Sequence, residues 1–323
     1  MKSALITGIT GQDGSYLAEF LLKKNYSVVG LVSQNFNIGN QNIESFQDKL
    51  NLAVGDLLDL KSLTQLVKKY RFSEIYNLGG LTFMPDSWNN PALALDVNTL
   101  GVARLLTAIR DYSPQTRFYQ ASSAKIFGSS KESPQTETTP LNPIDPYSVS
   151  KAASHFLVNS FRLHYHLYAV SGILYNHESE RRGEEFVTRK ISLTAAKIKL
   201  KLAAKLVLGS LDSQQDWGYA PDYVAAMWLM LQPDKPDDYI IASGELHSVK
   251  DVCATAFSYL NLNYRDYVIT DNKFVRQTEA VSPVGDWSKA KKILGWQPKV
   301  SFKDMIIKMV ENDLKLLKEG KRL

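Results

Sequence analysis

The sequence predicts an α/β fold built on a doubly wound parallel sheet, with a smaller C-terminal lobe. Strand-like apolar runs alternate with helix-like amphipathic segments through the first half of the chain. Such alternation is typical of βαβ units, whose strands are buried on both faces and pair in parallel. A glycine-rich turn after the first strand and a Tyr147–Lys151 pair further on both indicate dinucleotide chemistry, which favours the Rossmann-like version of this fold.

The predicted elements follow one another with short connections, as a parallel sheet requires. They are a strand at Ala4 to Thr7, a helix from about Gly14 to Lys24, strands at Val28 to Val32 and Leu50 to Val54, a helix at Lys61 to Tyr70, a strand at Ser73 to Leu78, a long helix through Val97 to Asp111, and strands at Arg117 to Ala121 and Gly172 to Tyr175.

The alternation loosens after this sixth strand, where a polar stretch begins at Asn176. We therefore expect a dinucleotide-binding domain over residues 1–175 and a mainly substrate-binding lobe over residues 176–323, with short segments returning to the first domain. Helices are expected in this lobe at a Lys/Ala-rich stretch, at Asp222 to Leu231 and at Met305 to Leu317.

Composition excludes several classes of protein. A net charge of +5 is spread over 38 basic and 33 acidic residues, so nucleic acid is not implied, and the lysines between Lys197 and Lys205 are interpreted as the solvated face of a helix. The single cysteine, Cys253, excludes an internal disulfide and a cysteine-based metal cluster, and no metal is expected. No signal peptide and no apolar run of membrane-spanning length is apparent, so we expect a cytoplasmic protein with no membrane partner.

The glycine-rich turn carries the prediction of nucleotide binding. Gly8, Gly11 and Gly14 form a G-x-x-G-x-x-G pattern around Gln12 and Asp13, between a strand and a helix. Glycines at these positions permit a tight turn and let backbone N–H groups approach a pyrophosphate at the helix N-terminus. The pattern therefore predicts a cofactor-binding loop.

Two features of the cofactor site stay open. Asp56, after the third strand, is a candidate for hydrogen bonding to adenine, or else for capping the next helix. The second strand ends in Val32-Ser-Gln34, without the acidic residue that selects NAD or the arginine that selects NADP. The sequence therefore leaves the choice between NAD and NADP unresolved.

Tyr147 and Lys151 form a Y-x-x-x-K pattern that predicts hydride chemistry on a bound dinucleotide. A phenol loses its proton near pH 10, so a tyrosine that acts as a base near neutrality needs a positive charge close by. Residues four apart share one face of a helix. We therefore expect the Lys151 ammonium to lie beneath the phenol and to reach a ribose hydroxyl.

Long strings of the sequence resemble GDP-mannose 4,6-dehydratases, a family of extended short-chain dehydrogenases/reductases. The resemblance is carried by Ile6 to Leu22, by Asn176-His-Glu-Ser-Glu-Arg-Arg-Gly183 and its continuation to Lys190, and by Asp216 to Val224, and it runs nearly end to end. It implies an NAD(P)-dependent enzyme that acts on a nucleotide sugar, expected to be GDP-linked, and that assembles as a homodimer or homotetramer.

The resemblance also implies roles for individual residues. Tyr147 is expected to take the proton of the sugar C4 hydroxyl while hydride leaves C4, with Ser123 polarising the same oxygen. Beyond the glycine-rich loop, the predicted cofactor contacts are Leu57, Leu78, Gly79, Gly80, Tyr147, Lys151, Asn176 and His177. The predicted substrate contacts are Thr82, Ser123, Asn176, Val187, Lys190, Arg276 and Glu279. His177 is expected to pack and hydrogen-bond beside the nicotinamide, and Arg181 and Arg182 are interpreted as a solvated pair.

The sequence departs from the family pattern at the site itself. The family's C5 base is a glutamate two positions after the catalytic serine or threonine, where this chain has Lys125. A lysine ammonium cannot accept a proton, and a lysine in water stays charged until about pH 10.4. The paired arginines after the second strand are missing, and Gln215 stands where the family has an arginine before Asp216. Both of these arginine sites face phosphates in the family.

Three functions are therefore weighed. The first is a 4-keto-sugar reductase or 4-epimerase that keeps hydride transfer at C4 and lacks elimination. The second is a true 4,6-dehydratase in which Lys125 or another group acts on C5, so that Lys125 is itself a candidate catalytic residue. The third is a nucleotide-binding protein without turnover, against which the retention of both Tyr147 and Lys151 argues.

Overall fold

The computed structural model describes residues 1–34, 42–271, 273 and 284–320. Its strands are β1 (Ser3–Thr7), β2 (Ser27–Val32), β3 (Asn51–Val54), β4 (Glu74–Asn77), β5 (Arg117–Ser123), β6 (Ala169–Leu174), β7 (Asn176–Glu178), β8 (Leu206–Leu208), β9 (Gln214–Tyr219), β10 (Tyr239–Ile241), β11 (Leu246–Ser248) and β12 (Val268–Thr270).

The α-helices connect these strands and cover the large sheet. They are α1 (Gln12–Lys23), α2 (Leu60–Tyr70), α3 (Met84–Asn89), α4 (Pro91–Leu95), α5 (Gly101–Tyr112), α6 (Pro146–Tyr165), α7 (Val187–Lys199), α8 (Ala220–Met230), α9 (Val249–Tyr259), α10 (Ser288–Leu294) and α11 (Phe302–Lys318). Short 3₁₀ turns lie at Glu44–Lys49, Ala124–Phe127 and Tyr264–Asp266, and a π-helical turn at Asp96–Leu100 joins α4 to α5.

The large sheet has seven parallel strands in the order β10-β6-β5-β4-β1-β2-β3. The direction of winding reverses between β1 and β4, which confirms the predicted doubly wound, Rossmann-like fold. A three-stranded sheet, β11-β9-β7, and a two-stranded sheet, β12-β8, lie in the second half of the chain.

Helices pack on both faces of the large sheet because its strands alternate apolar side chains between the two faces. In β1, Ile6 joins the cluster that contains Leu17 and Leu21 of α1, whereas its neighbour Leu5 joins the opposite cluster with Leu105 of α5. Both clusters are fully buried at these positions, so the strands are covered on both faces.

The caps explain where the helices of the first half begin. The Asp59 carboxylate accepts hydrogen bonds from the first backbone N–H groups of α2, and Asp145 forms a capping box with Ser148 at the start of α6. Pro146 occupies the first turn of α6, where its missing N–H group costs nothing. Since α6 begins here, Tyr147 lies at its N-terminal end, above the large sheet.

Strand β10 comes from the second half of the chain and pairs with β6 at the edge of the large sheet. Helix α8 also packs on this sheet, through Val224 and Met227 in the same cluster as α1. The remaining helices α7, α9 and α11 share a separate core around Phe257 and Met309. The domain boundary at residue 175 stays a prediction.

The predicted long helix at Val97 to Asp111 is helical throughout but not a regular α-helix, since its first residues form the π-helical turn. The continuous helical stretch over residues 91–112 is long and apolar enough to cross a membrane, which the sequence pattern did not indicate. This is weak evidence for a membrane span, because core helices pass the same test and Leu105, Leu106 and Ile109 are fully buried against the sheet. The cytoplasmic location stays a prediction.

The lysines between Lys197 and Lys205 were expected to form the solvated face of one helix, and that interpretation is wrong. Helix α7 ends at Lys199, and Lys201 has the left-handed φ of +60° that stops it. The ammonium groups of Lys199 and Lys205 donate to the backbone carbonyls of Leu260 and Asp266, at 2.8 and 2.6 Å. These two lysines therefore fasten the end of α7 and the loop that follows it to the segment after α9.

The close approach of β5 and β6 generates a prediction about stability. A Cβ atom on Gly172 of β6 would lie 2.4 Å from the Tyr119 hydroxyl oxygen, and Tyr119 is fully buried. Because the ring has no free space to move into, Gly172→Ala should lower the free energy of unfolding by about 1–3 kcal/mol. Urea denaturation measures the change, with Ser160→Ala on the exposed face of α6 as the control. Equal stability of Gly172→Ala and the parent would contradict the packing described here.

Candidate active site

The predicted site lies at the carboxyl edge of the large sheet, where the loops that follow the paired strands β1 and β4 lead to opposite halves of the sheet. The Thr7 hydroxyl oxygen accepts the backbone N–H groups of Leu78 and Gly79 at 3.1 and 2.9 Å, and it donates to Asn77 Oδ1 at 2.6 Å. These bonds join the loops that follow β1 and β4. In open α/β sheets, ligands bind in the crevice at this reversal point.

The glycine-rich turn is built for close backbone approach. Gly8 has a φ of +68°, and a Cβ atom there would lie 2.8 Å from the backbone nitrogen of Gly79. A Cβ atom on Gly14 would lie 2.1 Å from the carbonyl oxygen of Gly8. Helix α1 begins at Gln12, so the N–H groups of its first turn have no intrahelical acceptor and are available to a pyrophosphate. The turn therefore fits a dinucleotide.

Ser123, Tyr147 and Lys151 lie together beside this crevice. Ser123 is the last residue of β5, and its hydroxyl group is hydrogen-bonded to that of Tyr147. Lys151, one turn further along α6, is buried, and its Nζ donates to the carbonyl oxygen of Ala121 at 2.9 Å. The ammonium therefore lies 5.8 Å from the centroid of the Tyr147 ring, held by the sheet more than by the phenol.

Burial dominates the electrostatics of this pair. It lowers the pKa of Lys151 to about 8, against an opposing effect of the Asp13 carboxylate. Burial also raises the pKa of Tyr147, while the hydrogen bond from Ser123 and the charge of Arg182 lower it. The charge of Arg182 thus acts on the phenol, and the expected role of Lys151 as the activating cation stays a prediction. The contact of Lys151 with a ribose stays a prediction.

Lys125 lies on the 3₁₀ turn Ala124–Phe127, directly after β5. Its backbone N–H donates to the Ser123 hydroxyl oxygen at 3.2 Å, and its side chain is half-buried. The turn thus places Lys125 next to the reacting group of Ser123, on the same short segment.

Asn98 is a site residue that the sequence reasoning missed. It lies in the π-helical turn, is almost fully buried, and its side chain forms two hydrogen bonds with the backbone of Leu81, at 2.9 and 3.0 Å. It also donates to the hydroxyl oxygen of Ser150 on α6 at 3.0 Å. Asn98 therefore fixes the loop containing Gly79 and Gly80 against α6. An asparagine in an otherwise apolar helical pattern was the available signal, because it is a poor helix former.

One wall of the crevice is formed by the loops that follow β1 and β4. The second wall is formed by β7, β9 and the start of α7. Asn176 Nδ2 donates to Gln215 Oε1 at 3.1 Å, so Gln215 engages the amide that was predicted to bind substrate. Val187 is the first residue of α7, and Lys190 Nζ donates to the Val207 carbonyl at 2.8 Å. Thr82 is exposed on the opposite loop.

Arg181 and Arg182 are not a solvated pair, so that interpretation is wrong. Arg181 pairs with Glu19 and donates to the hydroxyl of Ser15 on α1 at 3.1 Å. Arg182 pairs with the buried Glu178 at 3.1 Å, and its guanidinium lies 3.5 Å from the Phe186 ring centroid. Salt bridges to buried or half-buried carboxylates outweigh hydration at both positions.

The aromatic ring of Phe186 also contacts the opposite loop. It meets Phe83 edge-on, with ring centroids 5.9 Å apart. This contact brings together the loop after β4 and the segment before α7, so the two walls of the crevice touch above the site.

Asp56 neither caps α2 nor lies free. Its Oδ1 accepts the Leu58 N–H at 2.9 Å within the preceding turn, and Asp59 caps the helix instead. Leu57 is buried, and a Cβ atom on Gly101 would lie 3.1 Å from its Cβ. Contact between Asp56 and adenine stays a prediction. Arg276 and Glu279 lie outside the described residues.

The fold and this site define an NAD(P)-dependent short-chain dehydrogenase/reductase acting on nucleotide sugars. The chain belongs to the GDP-mannose 4,6 dehydratase family, whose model matches residues 5–309. It is 45% identical to GDP-mannose 4,6 dehydratase 1 of Arabidopsis thaliana, over all of this chain and 92% of that protein. It is 42% identical to GDP-mannose 4,6 dehydratase of Homo sapiens, over 98% of this chain and 92% of that protein.

Solved structures share the fold. RMD from Pseudomonas aeruginosa, complexed with NADPH, has a TM-score of 0.82 and 20% identity, covering 98% of this chain and all of that one. dTDP-glucose 4,6-dehydratase from Bacillus anthracis, in complex with NAD, has a TM-score of 0.84 and 21% identity, covering 98% of each chain. One neighbour thus holds NADPH and the other NAD, and the choice for this chain stays open.

The buried ammonium of Lys151 generates a prediction about stability and pH. Since the pKa of Lys151 is lowered to about 8 in the folded protein, from 10.5 for the unfolded chain, folding releases its proton between these values. Its contribution therefore makes the protein more stable as pH rises from 8 to 10.5. Lys151→Met should remove this rise. The free energy of unfolding of the variant minus that of the parent should therefore be about 2 kcal/mol larger at pH 7.5 than at pH 9.5.

Urea denaturation at the two pH values measures this difference, and Lys131→Met at an exposed position is the control. Comparing each variant with the parent at both pH values cancels effects that do not depend on pH, including the lost hydrogen bond to Ala121. A difference between Lys151→Met and the parent that is the same at both pH values would show that the ammonium is not destabilised by burial.

Proposed function

We propose that this protein is an NAD(P)-dependent oxidoreductase whose substrate is a GDP-linked sugar. It transfers hydride at the sugar C4 and does not catalyse elimination, so it is either a 4-keto-sugar reductase or a 4-epimerase. The observation that carries the proposal is Lys125 beside an assembled Ser123–Tyr147 pair. The groups required for hydride transfer are together, and the position of the C5 base holds an amine.

The chain's own residues supply the proton chemistry of this step. The Tyr147 hydroxyl is positioned to exchange a proton with the C4 oxygen, and the Ser123 hydroxyl is positioned to hydrogen-bond the same oxygen. When bound, the dinucleotide would accept or supply the hydride. The Asn98 side chain holds the loop after β4, which borders the crevice beside Tyr147 and Ser123.

Other carboxylates of the surrounding elements are already engaged. Asp145 caps α6, Glu178 binds Arg182 and Thr188, and Asp13 faces His177. Asp216 accepts hydrogen bonds from the backbone of Ser243, Gly244 and Gly285. Each of these hydrogen bonds stabilises the charged form of its carboxylate and occupies a lone pair that a base would need, although burial raises the pKa of Asp216 overall. These contacts support the loss of the elimination step.

A second function, a 4,6-dehydratase proper, is favoured by the identity of 45% to a curated dehydratase. The two functions differ in one step, the removal of the C5 proton and the loss of the C6 hydroxyl. Incubation of the purified enzyme with GDP-mannose and NAD or NADP in deuterated water, followed by proton NMR, distinguishes them. We expect no 4-keto-6-deoxy product. Such a product with deuterium at C5, formed at an ordinary enzymatic rate, would establish the dehydratase.

Replacement of Lys125 tests the cause of the lost elimination. Lys125→Glu restores a carboxylate two residues after Ser123 and should increase dehydration of GDP-mannose by about a hundred- to ten-thousand-fold, the usual contribution of one general base. Lys125→Gln removes the charge without providing a base and should show no gain. The rate of 4-keto product formation measures both variants.

Other results with these two variants would contradict the proposal. If the parent dehydrates GDP-mannose and both substitutions abolish the reaction, Lys125 is itself the catalyst and the proposed loss of elimination is wrong. If no hydride transfer is detected with GDP-mannose or with a 4-keto sugar, the protein is a nucleotide binder without turnover.

We further propose that the protein assembles as a homo-oligomer through α6. Val149, Phe156 and Leu163 are 42, 57 and 70% exposed, and their spacing of seven residues places them in one stripe along the helix. Leu95 and Leu100, on the helical stretch that packs beside α6, are also exposed. A two-fold axis would bury this face against the same face of a second copy.

Substitutions in this stripe test the assembly. Phe156→Glu combined with Leu163→Glu should convert the oligomer to a species of single-chain mass, because the charges would be buried without partners. Size-exclusion chromatography with light scattering measures the mass. Leu202→Glu, at an exposed apolar residue that follows α7, is the matched control. An oligomer that survives the double substitution would place the interface elsewhere.

A further inference from the structure

The Asp13 carboxylate places a negative charge beside the predicted pyrophosphate site. It lies in the first turn of α1, beside the N–H groups that fit a pyrophosphate. An unpaired carboxylate at this place would repel a phosphate, since two like charges in a site of low dielectric constant destabilise each other. The structure pairs it: Asp13 Oδ2 lies 2.8 Å from Nε2 of His177, and Gln12 Nε2 donates to Asp13 Oδ1 at 3.1 Å.

The contacts of His177 define its protonation state. Nδ1 lies 2.7 Å from the carbonyl oxygen of Tyr175, and Nε2 lies 2.8 Å from the carboxylate of Asp13. A carbonyl oxygen and a carboxylate only accept hydrogen bonds, so both ring nitrogens must carry a proton. The ring also stacks on Tyr223, with centroids 4.6 Å apart and planes at 25°, and an aromatic face favours a cation.

The same pair connects the two walls of the site. His177 belongs to β7, beside Asn176, whereas Asp13 belongs to the glycine-rich turn. Gln12 adds two links, donating to the His177 carbonyl at 3.1 Å and accepting the Ser179 hydroxyl at 2.7 Å. The strand that carries Asn176 is therefore fastened to the start of α1 by side chains from both sides.

We propose that His177 is held as an imidazolium and that its pair with Asp13 is a positioning device, which neutralises the cofactor turn and holds β7 against it. The inference rests on the proposed dinucleotide binding for its purpose, but the charge state itself is a property of the protein alone. Asp13, predicted as a direct cofactor contact, acts in this account through His177.

The charged groups around the ring determine how the device responds to pH. They are Asp13 from α1 and Arg182 from the loop after β7, with the Tyr223 hydroxyl nearby on α8 and the Tyr175 carbonyl at the end of β6. Burial and Arg182 lower the pKa of His177, but the contact with Asp13 outweighs them and raises it. The imidazolium is therefore kept at neutral pH and lost only as pH rises through the raised value. Its loss would leave a nitrogen lone pair facing the carboxylate.

Nitrogen NMR of the cofactor-free protein tests the charge state directly. With ¹⁵N-labelled histidine, the five histidines give few enough signals to titrate individually. We expect both nitrogens of His177 to stay protonated at pH 7.5, because the contact with Asp13 raises the pKa of His177 above the usual value of a histidine. Asp13→Asn should move the titration midpoint of His177 below that of the parent. The His177 signal is the one that His177→Gln removes, or the one left after the other histidines are replaced.

Dinucleotide binding tests the purpose of the pair. At pH 7.5, Asp13→Asn and His177→Gln should each weaken NADP or NAD binding by about tenfold, the usual loss for one charge-assisted hydrogen bond, and the double variant should be little worse than either. Isothermal titration calorimetry measures the affinities, and His164→Gln at an exposed position of α6 is the control.

Each measurement has an outcome that overturns the proposal. A His177 that is neutral at pH 7.5 in the parent would show that the pair is not ionic. Additive losses in the double variant would show that the two residues act separately. If the imidazolium is present and no dinucleotide binds at all, the proposed function fails while the charge state stands, so the two claims are separable.

Discussion

The contact between the turns after β1 and β4 is the constraint on which the site depends. Gly8 can lie against Gly79 only because it has no Cβ atom, and the Thr7 hydroxyl fixes both N–H groups of the opposite loop. This contact positions the start of α1 at the crevice, and it positions the loop after β4, which Asn98 also holds. From there α6 carries Tyr147 and Lys151 to the same edge. A displaced turn would separate every group that we assign to the site.

The site combines several cations whose positions are fixed by burial or by carboxylate partners. Lys151 is buried on the Ala121 carbonyl, Arg182 is held by Glu178, and His177 faces Asp13. The pKa of the Tyr147 phenol is thus set by a balance between burial, which raises it, and neighbouring donors and charge, which lower it. Lys125 adds an amine two residues after Ser123, beside the groups that we propose for hydride transfer.

Much of the first half of the fold could be predicted from the sequence, because its signals are local. The strand before Gly8, the turn and the start of α6 each have a residue pattern with one physical meaning. The π-helical turn could not be predicted, since the apolar spacing of residues 97–111 is compatible with a regular α-helix. Asp59 caps α2 because the helix begins at Leu60, directly after it, whereas Asp56 lies too far before that start.

The site was predictable in its residue types but not in its pairings. Arg181 looks solvated in sequence because its partner Glu19 comes from α1, far away in the chain. Arg182 pairs with Glu178, four residues before it, but the sequence does not show that Glu178 is buried. The partnership of Gln215 with Asn176 depends on β9 pairing with β7, which brings distant residues together. Such long-range contacts have no local signature, so the electrostatics of the site could only be derived from the structure.

Hydride transfer at C4 is the central claim, and isotope transfer tests it most directly. The purified enzyme would be given a GDP-linked 4-keto-6-deoxy sugar and a reduced nicotinamide cofactor that carries deuterium as its transferable hydride at C4, and the sugar product would be examined by NMR. The account predicts deuterium at the sugar C4, with the transfer abolished in Tyr147→Phe. Recovery of unchanged keto sugar with either reduced cofactor, by a protein that binds both, would contradict it.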